Sequence, residues 1–375
     1  VDPFGKTLSF TYDSQERVAT MTDPAGGVYS YAYDASNNLI TASYPDARIR
    51  TYLYGEPGLS LWPPYTLTGI IDENGDRFAT WNLYTPLVTR SEHAGGVDAT
   101  DLSSNGTTAS VTDAFNVSRT YYFTPIQGSA KFTGIDVSYY RNPCPSCGPV
   151  AQTWDTNGFL ASRMDWNGNR SCFKHDTRGL ENVRVEGLTG ACPVDLTLTS
   201  VPSAAPARKI TTQWHPIWRL PTMVAEPVRM TCYVFHGVGG VTCGATGSLC
   251  SKTVQSTNDA TGALGLGATL SGNPRIWTYT YNVAGQMLTT EDPRSDVNDI
   301  TAYTYDTQGN IATVTNALGQ VTQVTAYDAH GKPLTIVDPN GLTTSLAYDA
   351  RQRLISRNVG GETTVYAYDG VGQVT

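Results

Sequence analysis

The sequence has no apolar run approaching the length of a membrane span and no long amphipathic helical pattern, so neither a membrane helix nor a helical bundle is expected. Charge is sparse as well: 15% of residues are Asp, Glu, Lys or Arg, lysines are few, and the formal net charge is −8. That sign argues against nucleic acid or an anionic membrane as the main partner. Gly-x-Ser-x-Gly, phosphate-loop and dinucleotide fingerprints are missing. The N-terminal "VDPFGKTLSF" has neither the basic nor the apolar region of a signal peptide. It reads as the middle of a repeat, and "YAYDGVGQVT" at the other end stops inside one. The expectation is a piece of a longer chain, and a missing leader then says nothing about destination.

An apolar content of 40% places the chain outside the disordered class. Thirty-six Gly, 22 Tyr and abundant Thr suit pleated strands joined by turns. A repeat organises them. Tyr12-Asp13, Tyr33-Asp34 and Tyr54-Gly55 lie 21 residues apart, as do Trp154-Asp155 and His175-Asp176, and Trp214 and Phe235. Tyr281, Tyr305-Asp306, Tyr327-Asp328, Tyr348-Asp349 and Tyr368-Asp369 continue at intervals of 24, 22, 21 and 20. Rings alternate with small or hydroxyl residues ahead of the Asp, as in Tyr29, Tyr31 and Tyr33, which puts them on one strand face.

Gly often follows the Asp by three places, at Gly158, Gly179, Gly285, Gly309, Gly331 and Gly372. Asp accepts hydrogen bonds from turn amides, and Gly takes the left-handed conformation. A return strand such as 354–358 comes next, and then a second turn carrying Asp23-Pro24, Asp338-Pro339 or Gly360-Gly361. Each unit is one β-hairpin plus its connection, and the fold class is all-β.

The phrases "YAYDASNNLITA" and "YDAHGKPLTIVDPNGLTT" resemble the Tyr-Asp (YD) repeats of bacterial Rhs proteins, with related repeats in toxin-complex proteins and teneurins. The resemblance is strong over 1–55, 150–186 and 276–375. It thins across about 56–149 and 187–275, which read as irregular insertions in a single array over 1–375. At 21 residues per hairpin the chain would form roughly 18 hairpins, or about 36 strands. Closed in one turn, such a sheet would measure about 170 Å around and about 55 Å across, more than side chains fill. The resemblance implies a long spiralling antiparallel sheet that forms part of a hollow cocoon around a C-terminal toxin domain. It also implies an exported or contact-delivered protein whose partners are the rest of its parent chain and the enclosed effector.

The alternative reading is an extracellular or cell-surface module that self-associates through open strand edges into filaments, or binds glycans on its Tyr faces. No catalytic residue and no cofactor is assigned. "DPNGL" at Asp338–Leu342 resembles the autoproteolytic element of Rhs cores, but it occupies an ordinary inter-hairpin position with no second carboxylate to place beside it. The recurring Asp residues are read as turn residues. Seven cysteines fall in the middle of the chain, where Cys243 with Cys250 and Cys172 with Cys192 could close loops as disulfides. Cys144, Cys147, Cys172 and His175 have a spacing compatible with zinc. However, His175 fills the repeat's aromatic position, and alternation would point it away from Cys172.

Overall fold

A computed structural model describes residues 1–375 except 61–64, 84–86, 140–149, 197–206 and 295. The described residues form 29 β-strands and three 3₁₀ segments of three residues each. The strands belong to one antiparallel sheet in which consecutive strands pair. The fold divides into two compact units, Val1–Leu102 with Thr301–Thr375, and Ser103–Ile300. Fewer strands form than 21-residue spacing implies, because the second unit uses long ones. Ser129–Tyr139 has 11 residues and Leu270–Tyr281 has 12.

The hairpin has a constant local build. In the turn after Tyr12, the Asp13 amide donates to the Arg17 carbonyl and the Glu16 amide to the Asp13 carbonyl. Asp13 Oδ1 accepts the amides of Gln15 and Arg17 at 2.8 and 3.0 Å. The second turns are built alike, with Asp23 Oδ1 accepting from Ala25 and Gly27 at 2.9 and 2.7 Å. The fourth turn residue is left-handed throughout. It is glycine at Gly309 (φ 78°) and Gly341 (φ 84°), but Glu16, Asn37 and Gln352 hold the same conformation at φ 61°, 67° and 63°.

The aromatic residue before the Asp is a bulge. Ladder register shifts at Ala32/Tyr33, Thr153/Trp154, Gln213/Trp214 and Ala347/Tyr348. There the side chain reaches back to the preceding hairpin. Tyr33 donates to the Val18 carbonyl at 3.0 Å, Tyr348 to Pro333 at 3.2 Å, Tyr368 to Leu354 at 2.8 Å and Trp214 to Glu181 at 2.8 Å. Each acceptor begins the previous return strand. Cross-strand hydroxyl pairs, Thr11 with Thr20 and Thr304 with Thr313, explain the threonines between the rings.

In the first unit the repeat rings are half-buried, apart from the exposed Tyr12, and not sealed in a core. Among the described residues the one buried apolar cluster is in the second unit: Cys172, Val185, Leu188 and Ala207, packed by Cys192 and Leu196. A lone sheet layer leaves its rings partly wet, so the energy per ring falls below that of a buried aromatic. Tyr348→Phe should lose about 1 kcal/mol with its hydrogen bond, and Tyr348→Ala about 2–3 kcal/mol, in urea unfolding. Equal midpoints for wild type and Tyr348→Ala would remove the ring from the list of stabilising contacts.

Candidate functional site: a seam of turns

Within the first unit, two rows of turns mesh. The row of second turns at 2–6, 23–27, 44–48 and 72–76 meets the row of YD turns at 306–310, 328–332, 349–353 and 369–373, one for one. At three of the four positions the third residue of a second turn is the tooth. Phe4 covers Gly309 so closely that an added Cβ would lie 2.4 Å from the ring. Lys6 beside it donates to Asn310 Oδ1 at 3.0 Å. Asp46 Oδ2 lies 3.9 Å from Arg351 Nη1 and 3.5 Å from Arg353 Nη2. Asn74 accepts the Gly370 amide at 2.8 Å and donates to Asp369 at 3.3 Å. At 23–27 the tooth position is Ala25, and Asp23 itself makes the contact: its Oδ2 lies 3.1 Å from His330 Nε2, whose Nδ1 is 3.6 Å from Asp328.

Glu73 is the centre of the seam's charge. Its side chain has 0% exposure, and its carboxylate lies 3.1 Å from Arg50 and 3.5 Å from Arg351. The Arg351 guanidinium also stands 4.3 Å over the Tyr44 ring. Burial by itself would raise the Glu73 carboxyl, but its own amide, Arg50 and Tyr44 outweigh that and hold it below the ordinary range. Burial pulls Asp23 upward too, and His330 with the Gly27 and Ala25 amides reverses the balance. These partners lie about 300 residues apart, so no local motif announces them. The usable signal is opposite charge on facing turn tips, Asp46 and Glu73 against Arg351 and Arg353.

The repeat residues Tyr12, Tyr33, Trp154, Tyr281, Tyr305, Tyr327, Tyr348 and Tyr368 end strands, or sit in a bridge in the last case. The residue after the aromatic serves as the turn's acceptor: Asp34, Asp155, Asp306, Asp328, Asp349 and Asp369 each take two turn amides. Asn282 does the same at 3.0 and 2.9 Å. Two histidines also accept turn amides. His215 Nδ1 accepts from Ile217 and Trp218 at 3.2 and 3.1 Å, and His236 Nδ1 from Cys243 and Gly244 at 3.0 and 3.1 Å. Asp338 accepts from Asn340 and Leu342 at 2.9 and 2.8 Å, in the same turn geometry.

Cys172 is disulfide-bonded to Cys192 and Cys243 to Cys250, with Cα separations of 5.8 and 5.4 Å. Among the described residues Cys232 is the free thiol, and burial raises its pKa. The zinc-compatible spacing, to which no metal is assigned, loses one of its sulfurs. Cys172 has given its sulfur to Cys192, and a bulge at Lys174/His175 breaks the alternation on which the placement of His175 rested. Cys144 and Cys147 lie outside the described residues.

The family model described as RHS Repeat matches residues 1–28, 17–49, 281–321 and 327–360. The fold matches a crystal structure of TcdB2-TccC3-Cdc42 with a TM-score of 0.66 over 97% of this chain and 19% of that one, at 14% identity. This chain carries RHS repeats over those residues. TcdB2-TccC3 gives a TM-score of 0.63 at 14% identity, covering 98% of the Rhs-repeat chain and 20% of its own. A Photorhabdus luminescens Tc holotoxin pore gives 0.63 at 13% identity, over 97% and 19%. At such identities the likeness concerns the fold, and the chain spans about a fifth of the length of these structures. No curated protein matches it in sequence.

Two outcomes are expected at the seam. Glu73→Gln should cost roughly 2–3 kcal/mol, discounted for the partial exposure of Arg50, and Arg351→Met should recover part of that loss in a double-mutant cycle. Additive losses would place the two residues in separate networks. Because Asp23 and Glu73 titrate below their ordinary values of 3.8 and 4.5, their contribution is present above those values and lost as pH falls through the lowered ones. Protection of the amides at turns 328–332 and 349–353, with exchange corrected for its intrinsic pH dependence, should therefore hold steady from pH 7 to about 5 and fall below about 4. Protection that persisted at pH 3 would count against the ion pairs.

Proposed function

We propose that this Rhs-repeat chain is a section of a structural wall that encloses or carries a toxin or effector, exported or delivered on contact, and that it does no chemistry of its own. The carrying observation is the seam. A ribbon of hairpins whose two rows of turns mesh tooth by tooth can close laterally, which a solitary sheet cannot do. The Asp residues support the non-enzymatic part: where Asn282 stands for Asp the same two amides are accepted, and where His215 or His236 does, two amides of the longer turn are accepted instead, so the position calls for an acceptor atom and not for an ionisable acid. We read the whole of 1–375 as one YD array belonging to a larger protein, acting outside the producing cell, with the rest of its parent chain and the effector as partners.

A second reading has its own observation. Among the described residues strand Ser9–Tyr12 pairs with Val18–Thr22, and its residues Phe10 and Tyr12 are 47% and 61% exposed. Exposed rings of that kind support association at a cell surface. Negative-stain imaging separates the readings, with hollow particles expected in preparations of the parent protein. Linear polymers whose length grows with concentration would transfer the conclusion to the filament. Intact mass after incubation tests the inert wall, and cleavage beside Asp338 would restore an enzymatic role.

A further inference from the structure

In the second unit a trough of about 440 Å³ opens where the strands Leu160–Met164, Arg170–His175, Glu181–Leu188 and Arg208–Trp214 lie side by side. A β-bulge shapes it. Arg170 pairs with Leu188 and Cys172 with Val185, so Glu186 and Gly187 both stand opposite Ser171. Gly187 is left-handed at φ 75°, as a bulge of this kind requires. The ladder also pairs Arg163 with Ser171 and Glu186 with Arg208. One row across the sheet therefore runs from Arg163 through Ser171 and the bulge to Arg208, on the face opposite the buried Cys172 and Val185. Serine and glycine make a low floor. An arginine stands at each side of it, about 14 Å apart by strand spacing.

The two arginines differ. Arg208 is held by Glu186, whose Oε2 lies 2.6 Å from its Nη2 and 2.7 Å from its Nε, and Glu186 also takes Arg184 at 3.0 Å. Arg163 is exposed and makes no hydrogen bond and no ion pair among the described residues, and the Ser171 hydroxyl beside it is likewise unpaired. The trough ends at the turn 165–169. There Asp165 Oδ1 accepts the amides of Asn167 and Asn169 at 2.9 Å each, and Asn169 Nδ2 donates to Asp165 Oδ2 at 3.2 Å. A guanidinium fork, a hydroxyl and two carboxylates on ordered backbone thus line one concavity of small-ligand size.

We propose that this trough binds a carboxylated sugar, with the carboxylate on Arg163 and the hydroxyls on Ser171, Asp165 and Glu186. Each part of the ligand follows from the lining. Among the described residues the lining is polar throughout, so an apolar ligand gains little there. A guanidinium takes a carboxylate through two parallel hydrogen bonds, which a lone hydroxyl cannot match. A phosphate or a second carboxylate would crowd like charge against Asp165 and Glu186, whereas sugar hydroxyls donate to both. The glycine of the bulge lets a ring approach the backbone. Free sugar acids and the residues of an acidic polysaccharide share this chemistry. The proposal goes beyond the wall reading, which needs no recognition site, and stands apart from it.

Saturation-transfer NMR on the full chain reads weak binding of this kind. The probes are D-galacturonate and N-acetylneuraminate, with D-galactose, which has a hydroxymethyl group in place of the carboxylate of galacturonate, as the neutral control. Transfer to galacturonate should exceed that to galactose by roughly five-fold, and Arg163→Gln should abolish the difference. Arg163→Lys, which keeps the charge without the fork, should restore only part of it. Because Arg163 is exposed and unpaired, these variants keep the fold, which circular dichroism checks. Tri-galacturonate that displaces the monomer at lower concentration assigns an acidic polysaccharide as the source, and a monomer that binds better assigns a free sugar acid; both support the site. Transfer to neither acid, equal transfer to galacturonate and galactose, a signal undiminished in Arg163→Gln, or displacement by equimolar acetate overturns it. None of these results alters the shape of the particles, so the wall reading stands or falls by imaging alone.

Discussion

A single acceptor atom that gathers two amides of its own turn is the constraint on which the structure depends. With Asp13 Oδ1 holding the amides of Gln15 and Arg17, the chain reverses with one residue left-handed and the preceding aromatic displaced as a bulge. The bulge lets the ring lean back to the carbonyl that opens the previous return strand. Turn, bulge and ring therefore act together, and each hairpin fixes the register of its neighbour. Stability in such an array is a sum of nearest-neighbour terms and not the property of a central core.

The seam adds a second kind of contact, between turns instead of strands. Turn tips are ordinarily the most exposed and variable part of a hairpin. In the first unit they carry a buried carboxylate, two bridging arginines and a ring pressed on glycine. The buried charge is tolerated because Glu73 has cations on two sides, and a lone carboxylate there would be strongly penalised. The comparison with TcdB2-TccC3 concerns the fold, and these side chains belong to this chain's own chemistry.

Much of the hairpin was legible in the residues. The Tyr-Asp beat located the turns, and the glycines three places on marked left-handed positions because only that residue adopts them without strain. Strand number was overestimated because the second unit lengthens its strands where the beat fades. The acceptor role of His215 and His236 was hidden, since imidazole and carboxylate share no sequence pattern even though both present a lone pair at the same place. Nothing in the phrase "IDENGDR" sets Glu73 apart from a solvated turn residue. Its burial comes from hairpins near the other end of the chain, and periodicity carries no information at that range.

The mesh has an arithmetic consequence. Lys6 and Asn310 are 304 residues apart, and Asn74 and Gly370 are 296 apart. Duplicating or losing one whole hairpin in the intervening stretch would slide every tooth by one notch, setting Asp46 and Phe4 against the wrong sockets. Drift in length is thus confined to loops that lie off the rims, and a gain of one unit must be matched by a loss elsewhere. A family that grows by copying its repeat would, in this stretch, be held to a fixed gauge.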